Sequence, residues 1–254
     1  MKGRSRSSST PTKRSSLRKS ADSEERWTRT GVLRELRGLA DPSVRKKMAY
    51  FGVSVPKAHG ISAPVLHALS RHIGKDHELA EELWASGIHE AKILATLIGE
   101  PEKVTAKQMD RWARAFDSWD VVDAACRYLY AFSAPAWSKV DAWSQRKEEY
   151  VKRAAFSLMA YLSYLDKEAP DSRFARLLPI IERESDDERN FVSKAVNWAL
   201  RQIGKRNVAL NRAAIRTAER IRLRGLGAAR WIAADALREL KSEAVQKRLR
   251  LKRA

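Results

Sequence analysis

Residues 123–125 read Asp-Ala-Ala, and a similar pattern, a charged residue followed by small or apolar residues in a helical segment, recurs along the chain. The copies are Lys47-Met48-Ala49, Asp123-Ala124-Ala125, Arg153-Ala154-Ala155, Lys194-Ala195-Val196 and Arg230-Trp231-Ile232. The last four copies are 30, 41 and 36 residues apart. An imperfect period of about 30 to 45 residues, with two helices in each repeat, is typical of an α-solenoid.

The residues around these copies predict helices almost throughout. Beyond residue 24 the chain is rich in Ala, Leu, Arg, Lys and Glu, and few runs alternate apolar with polar residues. Turn residues divide it into roughly a dozen segments. The breaks lie at Asp41-Pro42, 55–64, 74–76, Gly87, 99–101, 133–135, 169–171, Gly204 and 225–227. We predict an all-α, HEAT-like α-solenoid of antiparallel helix pairs with a basic concave face; an irregular helical domain is the alternative.

Charge and composition divide the chain into three parts. Residues 1–23 are rich in Ser, Lys and Arg and poor in large apolar residues, so we expect a disordered tail. Residues 24–242 are predicted to form the repeat domain, and residues 243–254 a basic C-terminal tail. With 50 basic and 31 acidic residues the net charge is +19, which favours a polyanionic partner such as nucleic acid.

The sequence shows no secretory signal and no apolar run of membrane-spanning length. The single cysteine, Cys126, lies in an apolar helical stretch and is predicted to be part of the core. One cysteine cannot form an internal disulfide and fits a reducing compartment. We therefore expect a cytoplasmic protein without membrane contact.

In a solenoid, equivalent positions of successive repeats lie along one face, so Asp123, Arg153 and Lys194 are predicted to line one groove. Trp119 precedes Asp123 by one helical turn, and Trp198 follows Lys194 by one turn. Both indole rings should therefore lie beside the charged groove.

Three segments carry a resemblance to a known family. They are Trp119-Asp120-Val121-Val122-Asp123, Arg153 within residues 150–155, and Trp198-Ala199-Leu200-Arg201. Together they resemble the AlkD family of DNA alkylation repair glycosylases, which are built from HEAT-like repeats, over roughly residues 27–240. The resemblance implies hydrolysis of the N-glycosidic bond of cationic N3- and N7-alkylpurines in duplex DNA, in base excision repair, without metal or organic cofactor. It also implies that the modified nucleotide stays exposed in the duplex groove.

The resemblance implies a role for each matching residue. Asp123 matches the catalytic aspartate, Trp119 and Trp198 match the tryptophans around the lesion, and Arg153 matches a further active-site residue. The residues expected to bind the DNA backbone are Arg201, Lys194 and Lys152. The expected partner is double-stranded DNA containing alkylated bases, bound by a monomer that needs no other protein.

The chemistry also follows from the residue types. Alkylation of a ring nitrogen makes a purine cationic and a good leaving group, so the deoxyribose develops positive charge as the bond breaks. A carboxylate held beside that sugar, such as Asp123, stabilises the charge and orients water. Indole faces attract a cationic nucleotide by about 0.5–2 kcal/mol each.

Each of these assignments has a structural alternative. Trp119 and Trp198 could fill space between helices, Asp123 could simply pair with Arg153, and Asp120 could be a carboxylate favoured by a helix dipole. The whole chain could then be a non-catalytic HEAT-repeat module that binds nucleic acid or protein. The enzyme hypothesis requires Asp123 to face open space between the two indoles.

Other conspicuous residues receive no functional assignment. Packing suffices for the remaining tryptophans, Trp27, Trp84, Trp112, Trp137, Trp143 and Trp231. The histidines have neither cysteine partners nor the spacing of a metal site; they are His59, His67, His72, His77 and His89. The sequence has no glycine-rich phosphate loop and no serine nucleophile elbow.

Overall fold

The computed structural model describes residues 26–53, 55–225 and 227–251, and these ranges contain helices but no β-strand. The α-helices are α1 (Arg29–Gly38), α2 (Pro42–Tyr50), α3 (Ala63–Ile73), α4 (His77–Ala85), α5 (His89–Ile98), α6 (Ala106–Ala113), α7 (Trp119–Tyr128), α8 (Ala136–Ser144), α9 (Glu149–Leu165), α10 (Asp171–Ala175), α11 (Leu177–Arg183), α12 (Asn190–Gly204), α13 (Val208–Leu223), α14 (Gly227–Leu240) and α15 (Glu243–Leu251). Short 3₁₀ helices cover Pro101–Lys103, Tyr130–Phe132 and Glu184–Asp186.

A continuous row of helices runs through the molecule. Helix α5 packs on α7, α7 on α9, α9 on α12 and α12 on α14. A second set packs against members of this row, with α4 on α5, α8 on α9, and α13 on both α12 and α14. Stacked helix pairs produce this arrangement, and the predicted all-α class is confirmed.

Helix α9 is the centre of the core. Every residue from 153 to 163 is buried, including Phe156, Leu158 and Met159, which have no exposed surface. A helix that is surrounded on all sides needs little polar surface, which explains its apolar sequence. Burial of each large apolar side chain contributes about 1.5–3 kcal/mol. The α9 side chains that face α7 and α12 are therefore held rigidly.

The repeat is visible in the hydrogen bonds between successive helix pairs. The indole N–H of Trp112 donates to Glu81 at 3.0 Å, and that of Trp143 donates to Asp110 at 2.9 Å. Asp110 also pairs with Lys139 at 2.6 Å. The two bonds join residues 31 and 33 positions apart, so one kind of contact recurs at the period that the sequence suggests.

The predicted breaks lie close to the observed helix starts. Asp41, Asp76 and Asn207 accept backbone N–H groups at the starts of α2, α4 and α13. Five further breaks contain neither proline nor glycine; they lie at 114–118, 145–148, Arg176, 187–189 and 241–242. The sequence pattern therefore underestimated the number of separate helices.

The C-terminal segment differs from the prediction. Residues 243–251, predicted as part of a basic tail, form helix α15, in which Val245 and Leu249 are buried. Gln246 donates hydrogen bonds to Asn211 and to the Leu240 carbonyl group. Basic residues dominate the composition of this segment, so the composition alone did not indicate a helix with an apolar face. The predicted N-terminal tail, residues 1–23, lies outside the described residues.

Three further features concern the cysteine, membrane-spanning helices and metal-binding groups. Cys126 is fully buried in the core, as predicted. Within the described ranges, no helix is both long and apolar enough to cross a membrane. In the same ranges no group of three or more His, Cys, Asp or Glu side chains could hold a metal ion.

Arg206 joins the end of α12 to the connection between α9 and α10. Its guanidinium group donates to the carbonyl oxygens of residues 163, 166, 167 and 169 at 2.8 to 3.1 Å. It also lies 4.2 Å from the centre of the Phe174 ring. One of these carbonyl groups lies in the last turn of α9 and the others follow it, where the helix leaves acceptors unsatisfied. Arg206 therefore helps to set the position of α12 relative to α9.

We expect Arg206→Lys to lower the free energy of unfolding by about 1.5–3 kcal/mol, because one ammonium group cannot replace a planar guanidinium that satisfies several carbonyl groups. Urea unfolding followed by circular dichroism measures this loss. Arg212→Lys on the exposed face of α13 is the matched control and should change the free energy of unfolding little. Equal effects of the two substitutions would contradict the proposed role.

Candidate functional site

A cleft of about 500 Å³ lies where α7, α9 and α12 meet the segment that follows α2. The residues that line it are Phe51, Trp119, Asp123, Arg153, Tyr161, Phe191, Lys194 and Trp198. The three charged copies of the sequence repeat, Asp123, Arg153 and Lys194, therefore line one surface, as predicted. Trp119 and Trp198 lie in the same cleft.

Helix geometry explains why these side chains meet. Trp119 is the first residue of α7, and Asp123 follows one turn later on the same face. Arg153 lies near the start of α9 and Lys194 near the start of α12, so successive helices of the row each contribute a charge. Trp198 lies one turn beyond Lys194.

Asp123 lines the cleft with a partly buried side chain. Its side chain is 17% exposed, and one carboxylate oxygen accepts from the Arg153 guanidinium at 2.8 Å. The other oxygen accepts from the Ser157 hydroxyl group at 2.8 Å. Burial raises the pKa of Asp123 above its ordinary value, although the Arg153 charge and both hydrogen bonds oppose that shift. Asp123 is therefore paired with Arg153 and at the same time lines the cleft that holds both indole rings.

Arg153 connects three elements of the site. Besides Asp123, its guanidinium donates to the Phe191 carbonyl oxygen at 2.9 Å and lies 5.9 Å from the centre of the Trp119 ring. Its side chain is only 8% exposed. These contacts make Arg153 a group that holds the Asp123 carboxylate in place, with little surface left for contact with DNA phosphates.

The two indole rings are fixed by different contacts. The N–H group of Trp119 donates to the Phe51 carbonyl oxygen at 3.0 Å. Trp198 packs edge-on against Tyr161, with ring centres 4.8 Å apart and an angle of 85° between the rings. Both tryptophans are half-buried, so each presents part of its ring to the cleft.

Asp120 has a separate structural role. It lies in the first turn of α7 and its carboxylate contacts His89 Nε2 at 3.0 Å. Burial alone would raise the pKa of Asp120, but the hydrogen bond and charge of His89 lower it below its ordinary value. The position at a helix N-terminus, expected from the sequence, also favours the charged form.

The predicted backbone-binding residues differ in their surroundings. Lys194 is exposed at the cleft. Lys152 is instead nearly buried and forms ion pairs with Glu184 at 2.5 Å and Asp187 at 2.9 Å. An ammonium group neutralised by two carboxylates has little left for a phosphate, so the structure does not support the prediction for Lys152.

Arg201 is also paired within the protein. Its guanidinium lies 2.5 Å from Glu239 and 3.5 Å from Asp235, both on α14. It lies one turn beyond Trp198 on α12, but is absent from the residues that line the cleft. A contact with DNA would compete with these two carboxylates, which weakens the prediction that Arg201 binds the DNA backbone.

Sequence reasoning missed several side chains of the cleft. Tyr161 lines the cleft and Ser157 donates to Asp123 beneath it. They follow Arg153 by two and one helical turns, so the spacing on α9 could have indicated them. Phe191 precedes Lys194 by nearly one turn. Phe51 had no such signal, because it reaches the cleft from the segment after α2, 68 residues away from Trp119 in the sequence.

Comparisons with known proteins give a family and a fold. The family model described as "DNA alkylation repair enzyme" matches residues 32–240. A solved structure described as "A new family of proteins related to the HEAT-like repeat DNA glycosylases with affinity for branched DNA structures" is similar to this chain with a TM-score of 0.72 and 20% sequence identity. The similarity covers 88% of this chain and 96% of that chain, and it shows the HEAT-like fold. No curated protein matches significantly.

The surroundings of Asp123 predict an elevated pKa that depends on Ser157. We expect the carboxyl carbon of Asp123 to titrate above the usual range for aspartate in ¹³C NMR spectra. In Ser157→Ala the carboxylate loses a donor to its charged form, so the pKa should rise further. Ser163→Ala, at a buried serine near the end of α9, is the control and should leave this titration unchanged. A lower pKa in Ser157→Ala would contradict the assigned hydrogen bond.

Proposed function

This chain belongs to the DNA alkylation repair enzyme family, and from that premise we propose that it is a DNA glycosylase. Its substrate would be a cationic N3- or N7-alkylated purine in duplex DNA, and its reaction hydrolysis of the N-glycosidic bond as the first step of base excision repair. One observation carries the proposal. A single carboxylate, Asp123, lines a cleft between two indole rings, Trp119 and Trp198, beside the exposed cation Lys194.

In the proposed reaction the bond between C1′ of the deoxyribose and N9 of the purine breaks. The electron pair goes to N9 and neutralises the alkylated ring, so no residue needs to protonate the base. The oxygen of a water molecule bonds to C1′, and one proton of that water passes to Asp123 or to solvent. The products are an abasic site, a neutral alkylpurine and a proton. No metal or organic cofactor is required.

Asp123 would stabilise the positive charge that develops on the sugar. Its low exposure strengthens this interaction, because a charge in a partly dry site is screened less than one in water. Arg153 and Ser157 each hold one carboxylate oxygen, which fixes the orientation of the group and favours its charged form. Arg153 is therefore a positioning residue in this mechanism.

Trp119 and Trp198 would contact the cationic nucleotide from two sides of the cleft. An indole face attracts a cation by about 0.5–2 kcal/mol. The hydrogen bond from Trp119 to the Phe51 carbonyl group and the contact of Trp198 with Tyr161 keep both rings in place before DNA binds. Lys194 would contact a phosphate group of the same strand.

A second candidate function has an observation of its own in favour. Both oxygens of Asp123 are already hydrogen-bonded within the protein. The similar solved structure belongs to proteins described as related to the glycosylases and as having affinity for branched DNA. The alternative is therefore a HEAT-repeat protein that binds branched DNA without cleaving a glycosidic bond.

We expect Asp123→Asn to slow release of 7-methylguanine from methylated duplex DNA by about 100-fold or more, because the amide lacks the negative charge that stabilises the sugar. Affinity for undamaged duplex should change little. Single-turnover release measured by chromatography, with fluorescence anisotropy for binding, checks both expectations. Asp141→Asn, an exposed aspartate on α8, is the matched control.

Thermal unfolding of Asp123→Asn must accompany these assays, because the substitution leaves the Arg153 guanidinium without its anionic partner. A folded variant that releases 7-methylguanine as fast as the natural chain would contradict the catalytic role of Asp123. Absence of release by the natural chain, together with tight binding to a four-way junction, would favour the second candidate.

Lys194→Ala should weaken duplex binding and reduce the slope of log Kd against log salt concentration by about one, as expected for one lost phosphate contact. Arg201→Ala should change the slope less, since its guanidinium already pairs with two carboxylates. Arg212→Ala on the exposed face of α13 serves as a control for net charge. If Lys194→Ala and Arg212→Ala give equal slopes, Lys194 makes no specific phosphate contact.

A further inference from the structure

A second cavity, of about 490 Å³, lies at the far end of two of the helices that form the cleft. Its lining comes from the ends of α9 and α12, from the segments that follow them, and from α15. Every described residue of this lining has a polar or charged side chain. We call this space the C-terminal pocket.

The C-terminal pocket continues the cleft along both helices. On α9, Tyr161 lines the cleft and Tyr164 lines the pocket, with ring centres 5.8 Å apart. On α12, Trp198 lines the cleft, and Gln202 lines the pocket one turn later. Lys205, at the end of that helix, is about 10 Å further along the axis than Trp198, at about 1.5 Å per residue. One strand of DNA covers that distance in about three nucleotides.

Positive charge dominates the C-terminal pocket. Its lining has one carboxylate, Asp171, and four basic side chains, Lys167, Lys205, Arg206 and Arg248. Cations that are grouped in this way repel one another unless an anion lies among them. The pocket therefore suits an anionic ligand.

Two of the four cations have partners that fix them in place. Lys205 pairs with Glu239 at 2.5 Å, and Arg206 donates to the carbonyl groups that follow α9. Lys167 and Arg248 are exposed, and neither side chain forms an ion pair with another residue in the described ranges. These two side chains have charge left for a ligand.

Tyr164 adds a neutral donor to the same wall. Burial raises the pKa of its hydroxyl group, which therefore stays protonated at neutral pH. A phosphate group has several acceptor oxygens and can bind an ammonium, a guanidinium and a hydroxyl group together.

The position of the pocket indicates which phosphate it receives. Both candidate functions place DNA in the cleft, and the pocket lies directly beyond the cleft on the same two helices. Arg248 belongs to α15, which lies outside residues 32–240, the part of the chain that the family model matches. The contact would thus add a C-terminal helix to the DNA-binding surface of the matched domain.

We propose that the C-terminal pocket binds a phosphate group of the DNA backbone close to the nucleotides held in the cleft. Lys167 and Arg248 supply the charge, and Tyr164 supplies the neutral donor. This inference goes beyond the proposed function, because it does not depend on cleavage of a glycosidic bond.

The double variant Lys167→Ala/Arg248→Ala tests the inference. We expect the slope of log Kd against log salt concentration for duplex DNA to fall by about one, because one neutralised phosphate is lost. Fluorescence anisotropy measures the slope, and the melting temperature should stay unchanged because both side chains are exposed. Lys107→Ala/Arg250→Ala removes the same two charges from exposed positions outside the pocket and is the matched control. Equal slopes for the two double variants would overturn the proposal.

A cross-linking experiment measures proximity without relying on affinity. The single natural cysteine, Cys126, is buried, so Gln202→Cys supplies one accessible thiol in the pocket. We expect this thiol to exchange with an activated disulfide tethered to a backbone phosphate of duplex DNA about tenfold faster than the thiol of Gln145→Cys, at an exposed position after α8. Equal rates would show that the pocket does not face the backbone.

Single-stranded DNA distinguishes the two sources of the phosphate. If the strand in the cleft also enters the pocket, Lys167→Ala/Arg248→Ala should weaken binding of single strands and duplexes alike. A loss confined to duplexes would assign the phosphate to the complementary strand, and no loss in either would overturn the site. Release of 7-methylguanine tests the proposed function separately, because a natural chain that releases no base can still bind DNA through this pocket.

Discussion

The ion pair between Asp123 and Arg153 is the contact on which the rest of the site depends. It joins α7 to α9 across 30 residues of sequence at 2.8 Å, with both side chains largely buried. A buried charge without a partner is strongly destabilising, so each residue requires the other. Through its further bond to the Phe191 carbonyl group, Arg153 extends the same network to α12. Three helices of the row are thereby held at one point.

The same interaction sets the chemical state of the candidate catalytic group. Burial raises the pKa of Asp123, and Arg153 and Ser157 oppose that shift. The carboxylate is therefore oriented before any ligand arrives, and its charge acts in surroundings that screen it poorly. Its limited exposure, which a purely structural ion pair would share, is also what makes it effective beside a cationic sugar. The open cleft that Asp123 shares with both indole rings favours the functional interpretation.

Sequence patterns predicted the helical class, the row of charged positions and the place of both tryptophans beside it. They could do so because helix periodicity and repeat spacing place such residues on one face. They failed where partners came from distant elements. Lys152 and Arg201 were expected to contact phosphates, yet carboxylates from elements distant in sequence pair with them. Composition likewise marked residues 243–251 as a tail, although two apolar residues of that segment are buried.

The sequence by itself determined the all-helical class, the period of the repeat and the pairing of each tryptophan with a charge one turn away, since these are local properties of a helix. Only the tertiary structure decided how deeply Asp123 lies, that Phe51 reaches the cleft, and that a basic pocket follows the cleft along α9 and α12. These features depend on how helices far apart in sequence stack, because packing of many side chains, and not any single spacing, sets the angles and distances between them.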